Sequence, residues 1–332
     1  MEKEKKRVPY FQAIRGICML MVIYIHSKAG NEGAVWELNY WVIIRQFFSI
    51  AVAIFFVLAG YFASESGGGW KRYEKLLIPF LMWSVLYTAL NYDWDMDLGS
   101  VLMLVLSGRS SAQLYFILVL IELTFMTPLL KKALFSRNMS YLILAITPIY
   151  FCVFCYLQIH YKTGSIWWAG RDCFAWISYY YLGMIYRKGG ICLKKNLSIE
   201  ISIIGLLLCF VEGFWFAYGM GNPVLATGQL KLSTYILAIG VAGLMFCYAE
   251  VIRFPEWLVS IGDNSYGIYY LHTFVLMCEN FMAKRIAGIN MIPLPLFHFL
   301  QVSSTVILCS FIISFAKKVI KSKKILLWVG LV

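Results

Sequence analysis

The chain has 332 residues, of which 61% are hydrophobic and only 14% charged, with a mean hydropathy of +0.73. A water-soluble domain of this length needs far more surface charge, so the composition excludes a soluble globular enzyme and leaves no length for a sizeable soluble domain. The formal charge of +12 is spread over short loops between apolar runs, a distribution that speaks against nucleic acid and for a membrane protein.

Apolar runs recur along the whole length and predict an all-α, polytopic bundle of about ten transmembrane helices, read as one membrane domain over 1–332. The spans are expected at roughly 10–28, 41–63, 76–91, 113–130, 140–158, 173–186, 198–218, 232–250, 264–282 and 294–316. The first follows a basic start, as a signal peptide would, but no small-x-small cleavage site closes it, so it is read as a retained span. The sixth is short. The stretch Leu98 to Leu106 is too short to cross and is expected to be re-entrant or interfacial.

With the N-terminus placed in the cytoplasm, twenty Lys and Arg fall inside and seven (Lys28, Arg109, Lys162, Arg171, Lys231, Lys284, Arg285) outside. Both termini are therefore expected in the cytoplasm, in a multi-pass cell (inner) membrane protein. The nine cysteines are scattered, mostly within apolar runs. Cys152 and Cys155 form a C-x-x-C in mid-span, without the context that redox or zinc chemistry requires. Asp93-x-Asp95-x-Asp97 lacks the glycine and glutamate of an EF-hand. No metal is expected.

Ionisable groups inside spans are costly and therefore informative. Arg15 and His26 lie eleven residues apart on the first span. Eleven steps of 100° return to within about 20° of the same face and advance about 16 Å, so Gln12, Arg15, Met19, Val22 and His26 make one stripe. A guanidinium near the cytoplasmic end can hold a phosphate, and an imidazole deeper in can serve as general base. The competing reading is that Arg15 snorkels and His26 merely ends the span. In the ninth span, Asp263, Asn264 or Ser265 can cap the helix, and Ser265, Ile268, Tyr269 and His272 share a face. That stripe should face protein rather than lipid, as a site or as a hydrogen-bond network between helices. The cluster Lys71, Arg72, Lys75 before Pro79 reads either as a phosphate site or as ordinary positive-inside charge. Glu122 sits in mid-span and should pair, with Arg45 or a histidine as candidates, and Arg171-Asp172 can line an outer entrance.

Taken in order, these segments resemble the acyltransferase 3 family of bacterial membrane acyltransferases. The resemblance rests on Arg15 with His26, on Phe55-Phe56-Val57-Leu58-Ala59-Gly60-Tyr61, and on Lys71-Arg72 through Pro79. It continues in Leu114-Tyr115-Phe116-Ile117, Tyr181-Leu182-Gly183 and Gly262 through His272. Ala59 stands where the family usually has Ser, Tyr115 where it has Trp, and Lys75 where Arg is frequent. The chain resembles the stand-alone form, without an appended esterase-like domain.

The resemblance implies transfer of an acyl group, typically acetyl, from cytoplasmic acyl-CoA to a hydroxyl of an extracytoplasmic or lipid-linked carbohydrate. Acetyl-CoA is then a co-substrate, not a tightly bound cofactor. Arg72, Lys75 and Arg15 would hold the donor's phosphates, and His26 would deprotonate the acceptor hydroxyl. An oxyanion stabiliser worth ~3–4 kcal/mol is needed, with Ser265, Tyr266 and His272 as candidates. Arg171 and Glu122 are further candidates for the acceptor side. Two alternatives stand beside this reading: a transporter of a small polar solute along the same polar path, and a non-catalytic envelope component.

Overall fold

The computed structural model describes residues 8–27, 35–63, 70–91, 95–161, 170–189, 193–286 and 292–331. Among these the chain is helical throughout, without strands. In chain order the α-helices are α1 (Pro9–His26), α2 (Val35–Phe48), α3 (Ala51–Ala63), α4 (Trp70–Leu90), α5 (Leu98–Leu106), α6 (Tyr115–Ala133), α7 (Arg137–Tyr161) and α8 (Ile177–Lys188). They continue with α9 (Lys195–Phe214), α10 (Pro223–Thr227), α11 (Leu232–Cys247), α12 (Glu256–Asp263), α13 (Ser265–Ala283), α14 (Leu294–Val319) and α15 (Lys323–Trp328).

Six stretches among the described residues are long and apolar enough to cross a membrane: Trp36–Ala63, Ala112–Ala133, Arg137–His160, Lys195–Gly219, Pro223–Cys247 and Leu294–Val319. The remaining four expected spans correspond to α1, α4, α8 and α13. α1 and α13 carry Arg15, His26, His272 and Glu279, and α4 starts with a basic turn, so polar groups dilute their apolar character. α8 has only 12 residues, about 18 Å of helix against about 30 Å of hydrocarbon. The stretch expected as one span over 41–63 is two helices, broken by a turn at Ser49 and Ile50.

The helices pack as two compact units. The larger, Ala34–Phe246, holds α2 to α11. At its centre α8 is buried on every side from Ile177 to Tyr186, which explains how a short helix with four tyrosines is tolerated. Its polar atoms find partners on neighbouring helices: Tyr180 Oη with Thr127 Oγ1 at 2.8 Å, Tyr181 Oη with Ser140 Oγ at 2.8 Å, and Ser178 Oγ donating to Ile143 O at 2.9 Å. α3 and α8 meet backbone to backbone. A Cβ on Gly60 would overlap the Tyr180 carbonyl, and one on Gly183 would overlap the Val57 carbonyl. Outward-facing Phe125, Leu142, Ile149 and Val211 stay exposed, as lipid-facing side chains do.

α5 buries none of its residues and exposes Leu98, Leu102, Met103 and Leu106. Asp97 caps it by accepting from Ser100 N at 3.2 Å, and this contact holds its carboxyl below the usual range. Of the Asp93-x-Asp95-x-Asp97 trio, Asp93 lies outside the described residues. Within the C-x-x-C, Cys152 is exposed and Cys155 Sγ donates to Leu230 O at 3.7 Å.

The smaller unit joins Met1–Gly33 to Cys247–Val332 and holds α1 and α12 to α15. Gly16 and Gly262 bring α1 and α12 together: a Cβ on either would strike a backbone carbonyl, that of Leu258 or of Gln12. α13 and α14 run antiparallel side by side, tied by Lys317 Nζ on Asn264 Oδ1 at 3.1 Å at one end and by Gln301 Nε2 on Asn280 Oδ1 at 2.8 Å nearer the other. Asn264 is the residue at the α13 N-cap, but its side chain does not cap the helix. Its amide instead donates back to Ser260 O at 3.1 Å.

Candidate active site

The stripe expected on α1 faces protein. Met19 and Val22 are buried, and Gln12, Arg15 and His26 are half-buried. Arg15 Nη1 donates to Gln12 Oε1 at 3.2 Å, and Asp263, at the end of α12, lies within electrostatic range of the guanidinium. Arg15 is thus turned toward the α1–α12 contact.

His26 closes the last turn of α1. Its ring centroid is 5.4 Å from that of His272, with the planes 54° apart. His272 is completely buried. Its Nδ1 lies 3.1 Å from Ile268 O, one turn earlier on α13. A carbonyl can only accept, so this contact assigns the proton to Nδ1 and leaves Nε2 as a lone pair. No group among the described residues donates to that buried nitrogen. Spacing alone marks a shared face on α13; the approach of this face to His26 is what the three-dimensional arrangement adds.

The other expected site residues have the following partners within their own units. Ser265 starts α13, about 10 Å along the axis from His272. Tyr266 Oη pairs with Tyr270 Oη at 3.2 Å, one turn along the same helix. Arg171, in the larger unit, donates Nη1 to Gly108 O at 2.9 Å. Asp172 accepts from Tyr150 Oη at 2.6 Å and from Phe174 N at 3.0 Å, so this pair ties loops together. Glu122 accepts from Cys173 and lies near Asp172. Arg45, suggested as its partner, instead donates Nε to Thr227 O at 2.9 Å. Arg72 sits beside Tyr180, and Lys75 is exposed on the first turns of α4. The side chain of Lys71 lies outside the described residues.

Two polar groups were not singled out from sequence. Lys231, counted among outer-loop cations, is 1% exposed. Its Nζ donates to Gln46 Oε1 at 2.6 Å and to Ala226 O at 3.0 Å. His298 on α14 is fully buried against Tyr24 of α1. Its spacing to Gln301 and Thr305, +3 and +7, is the same signal that marked α13 and was legible there too.

The family model described as an acyltransferase domain, of the acyltransferase 3 family, matches residues 8–315, nearly the whole chain. The chain belongs to the acyltransferase 3 family. Comparison with curated proteins and with solved structures gave no match.

Family membership makes the chain an acyltransferase, and with its apolar helices a multi-pass membrane protein. In this acyltransferase the segments that carried the resemblance divide by role. Gly60 and Gly183, from two of them, form one reciprocal helix contact, and Gly262, from a third, forms the contact with α1. Tyr115, at the position where Trp is usual, takes a hydrogen bond from Gln229 Nε2 at 2.7 Å, which a tryptophan could not accept. Arg15, His26 and His272 are ionisable side chains that these segments bring to the smaller unit.

Proposed function

We propose that this acyltransferase moves an acyl group, acetyl in the simplest case, from acyl-CoA to a hydroxyl of an extracytoplasmic or lipid-linked carbohydrate, with His26 as general base. The observation that supports this most is the His26–His272 pair, in which the buried Nε2 of His272 has no donor among the described residues. A hydroxyl can donate its single proton to one of the two rings and keep its oxygen lone pairs for the reaction.

In this reading His26 takes the proton of the acceptor hydroxyl as its oxygen attacks the thioester carbonyl carbon. The carbon–sulfur bond then breaks, and the proton passes from His26 to the departing thiolate, giving an ester and free coenzyme A. His272, fixed in one tautomer by Ile268 O, orients His26 by accepting a ring N–H on its Nε2 lone pair, which leaves the other His26 nitrogen to act as base. In that tautomer Nε2 accepts and cannot donate to an oxyanion, so the oxyanion role falls to another donor, with Tyr266 and Ser265 the candidates on α13. The donor's phosphates are assigned to Arg72 and Lys75, with Arg15 as a further cation. Arg171 and Glu122, each with partners in the larger unit, are kept as further candidates for the acceptor side. The protein is placed in the cell membrane with both termini cytoplasmic, on the Lys and Arg asymmetry of its loops.

The test is mass spectrometry of surface glycans from cells with and without the gene. Loss of an acyl mass from one glycan on deletion, restored by the gene, is the expected result. Identical glycans in both, with solute uptake by liposomes holding the purified protein and no acyl donor, would instead establish the transporter reading.

A further inference from the structure

His26 stands in the last turn of α1, and a helix end frays unless something outside the helix holds it. Ser27 closes that turn, with its N–H on Ile23 O at 2.9 Å and its Oγ donating to Tyr24 O at 2.7 Å. These bonds tie the turn to itself and leave its setting against α13 and α14 to side chains. Two contacts supply that setting. One is His26 against His272 of α13. The other is Tyr24 against His298 of α14, edge-on with ring centroids 5.1 Å apart and Tyr24 Oη 3.3 Å from His298 Nδ1.

The two contacts lie on different sides of α1. Tyr24 and His26 are two residues apart, about 200° around the helix. Their partners diverge in the same way. Gln301 donates to Asn280 at 2.8 Å, which sets this level of α14 eight residues, about 12 Å, along α13 from His272. His298 lies almost a turn further on, because the two helices are antiparallel. The last turn of α1 is thus bracketed. Held by one contact it could still roll about its own axis, and a second contact on the far side removes that freedom. A ring-edge contact alone would be served by phenylalanine at 298. The buried imidazole is costlier in an apolar interior, and what it adds is a directional bond to Tyr24 Oη.

We propose that His298 is a positioning residue: through Tyr24 it holds the last turn of α1 so that the His26 ring keeps its approach to His272. This rests on the acyl-transfer reading, in which His26 is the base and His298 acts only through α1. A general base works when held within about 0.5 Å of its productive place, and a shift of about 1 Å can cost about 10²-fold in rate.

Tyr24→Phe and His298→Phe test it, because each removes the hydrogen bond and keeps a ring. Coenzyme A release from acetyl-CoA by the purified full-length chain should show kcat lowered about tenfold or more, with KM for acetyl-CoA within about twofold of wild type. The double variant should fall no further than the lower single, since both changes remove one bond. His298→Asn, which keeps a hydrogen-bonding group near the place of Nδ1, should recover part of kcat. A readout that needs no turnover is the labelling of His26 by diethyl pyrocarbonate, followed by peptide mass spectrometry. His26 should be labelled severalfold faster in both phenylalanine variants than in wild type. If His298→Phe is not monodisperse, Tyr24→Phe, which loses only a hydroxyl, carries the test. Wild-type kcat or wild-type labelling of His26 in a folded variant would overturn the role, as would a double variant whose fall is the product of the two singles. A wild-type chain that releases no coenzyme A would overturn the acyl-transfer reading, and the labelling rate would then decide by itself whether His298 holds His26.

Discussion

Gly60→Ala and Gly183→Ala probe the contact on which the larger unit is built. A Cβ at either position would overlap a carbonyl oxygen of the opposite helix, Tyr180 or Val57. A backbone carbonyl within a helix cannot rotate away, so α3 and α8 must part. Adding one methyl group to a close-packed interior costs ~1–3 kcal/mol, and the upper end applies here because the partner is backbone. Parting the helices also loosens Phe56, Val57, Tyr180 and Met184, each with almost no exposed surface. At roughly 2–4 °C per kcal/mol for chains of 150–250 residues, a loss near 3 kcal/mol lowers the midpoint by about 6–12 °C. The assay is thermal aggregation of the detergent-purified protein, followed by fluorescence-detected size exclusion. Because both substitutions open the same interface, the double variant should lose less than the sum of the singles. Gly99→Ala, where the nearest neighbour of a new Cβ is only the Asp97 side chain, is the control and should leave the midpoint in place. A midpoint for Gly60→Ala or Gly183→Ala within about 1 °C of wild type would show that the close approach of α3 and α8 is wrong.

Further outcomes follow from single contacts. Lys231→Met should destabilise the protein by ~1–3 kcal/mol by orphaning Gln46 Oε1, while Ala226 O keeps the Gln46 amide as donor at 3.2 Å, seen as a lower thermal midpoint. His272→Phe, which fills the same space without a lone pair, should lower the rate of acyl transfer by ~10²-fold or more while the midpoint stays near wild type. Lys75→Arg should lower KM for acetyl-CoA by restoring a two-pronged phosphate contact, and leave KM for an acyl-pantetheine donor unchanged. Arg15→Ala should raise KM for acetyl-CoA, and Arg15→Lys should recover only part of the loss.

What could be read from the amino-acid order was set by periodicity. The 3.6-residue repeat places Arg15 with His26 on one face of α1, and Ser265 with His272 on one face of α13, because side chains three, four, seven or eleven apart must align. Periodicity does not name the partner of a face. The meeting of His26 with His272 depends on α1 and α12 being drawn together at Gly16 and Gly262, contacts between residues almost 250 positions apart in the chain. Depth was misjudged for the same reason. Lys231 lies at the edge of an apolar run and reads as a loop cation, but the end of α10 supplies a carbonyl and Gln46 an amide, so it is buried. Ser49 and Ile50 interrupt an apolar stretch that hydropathy sees as continuous, because hydropathy averages over a window longer than a turn. α8 was short and hard to bound because its surroundings are protein, so it needs no lipid-matched length.

The central claim, that His26 is the base of an acyl transfer from acyl-CoA, is tested most directly by coenzyme A release from acetyl-CoA. The comparison is between the purified wild-type chain and His26→Ala, with both shown to be monodisperse and equally heat-resistant. General-base loss predicts a fall of ~10²–10⁴-fold in the variant. Equal release by the two proteins, or none by either, would contradict the account.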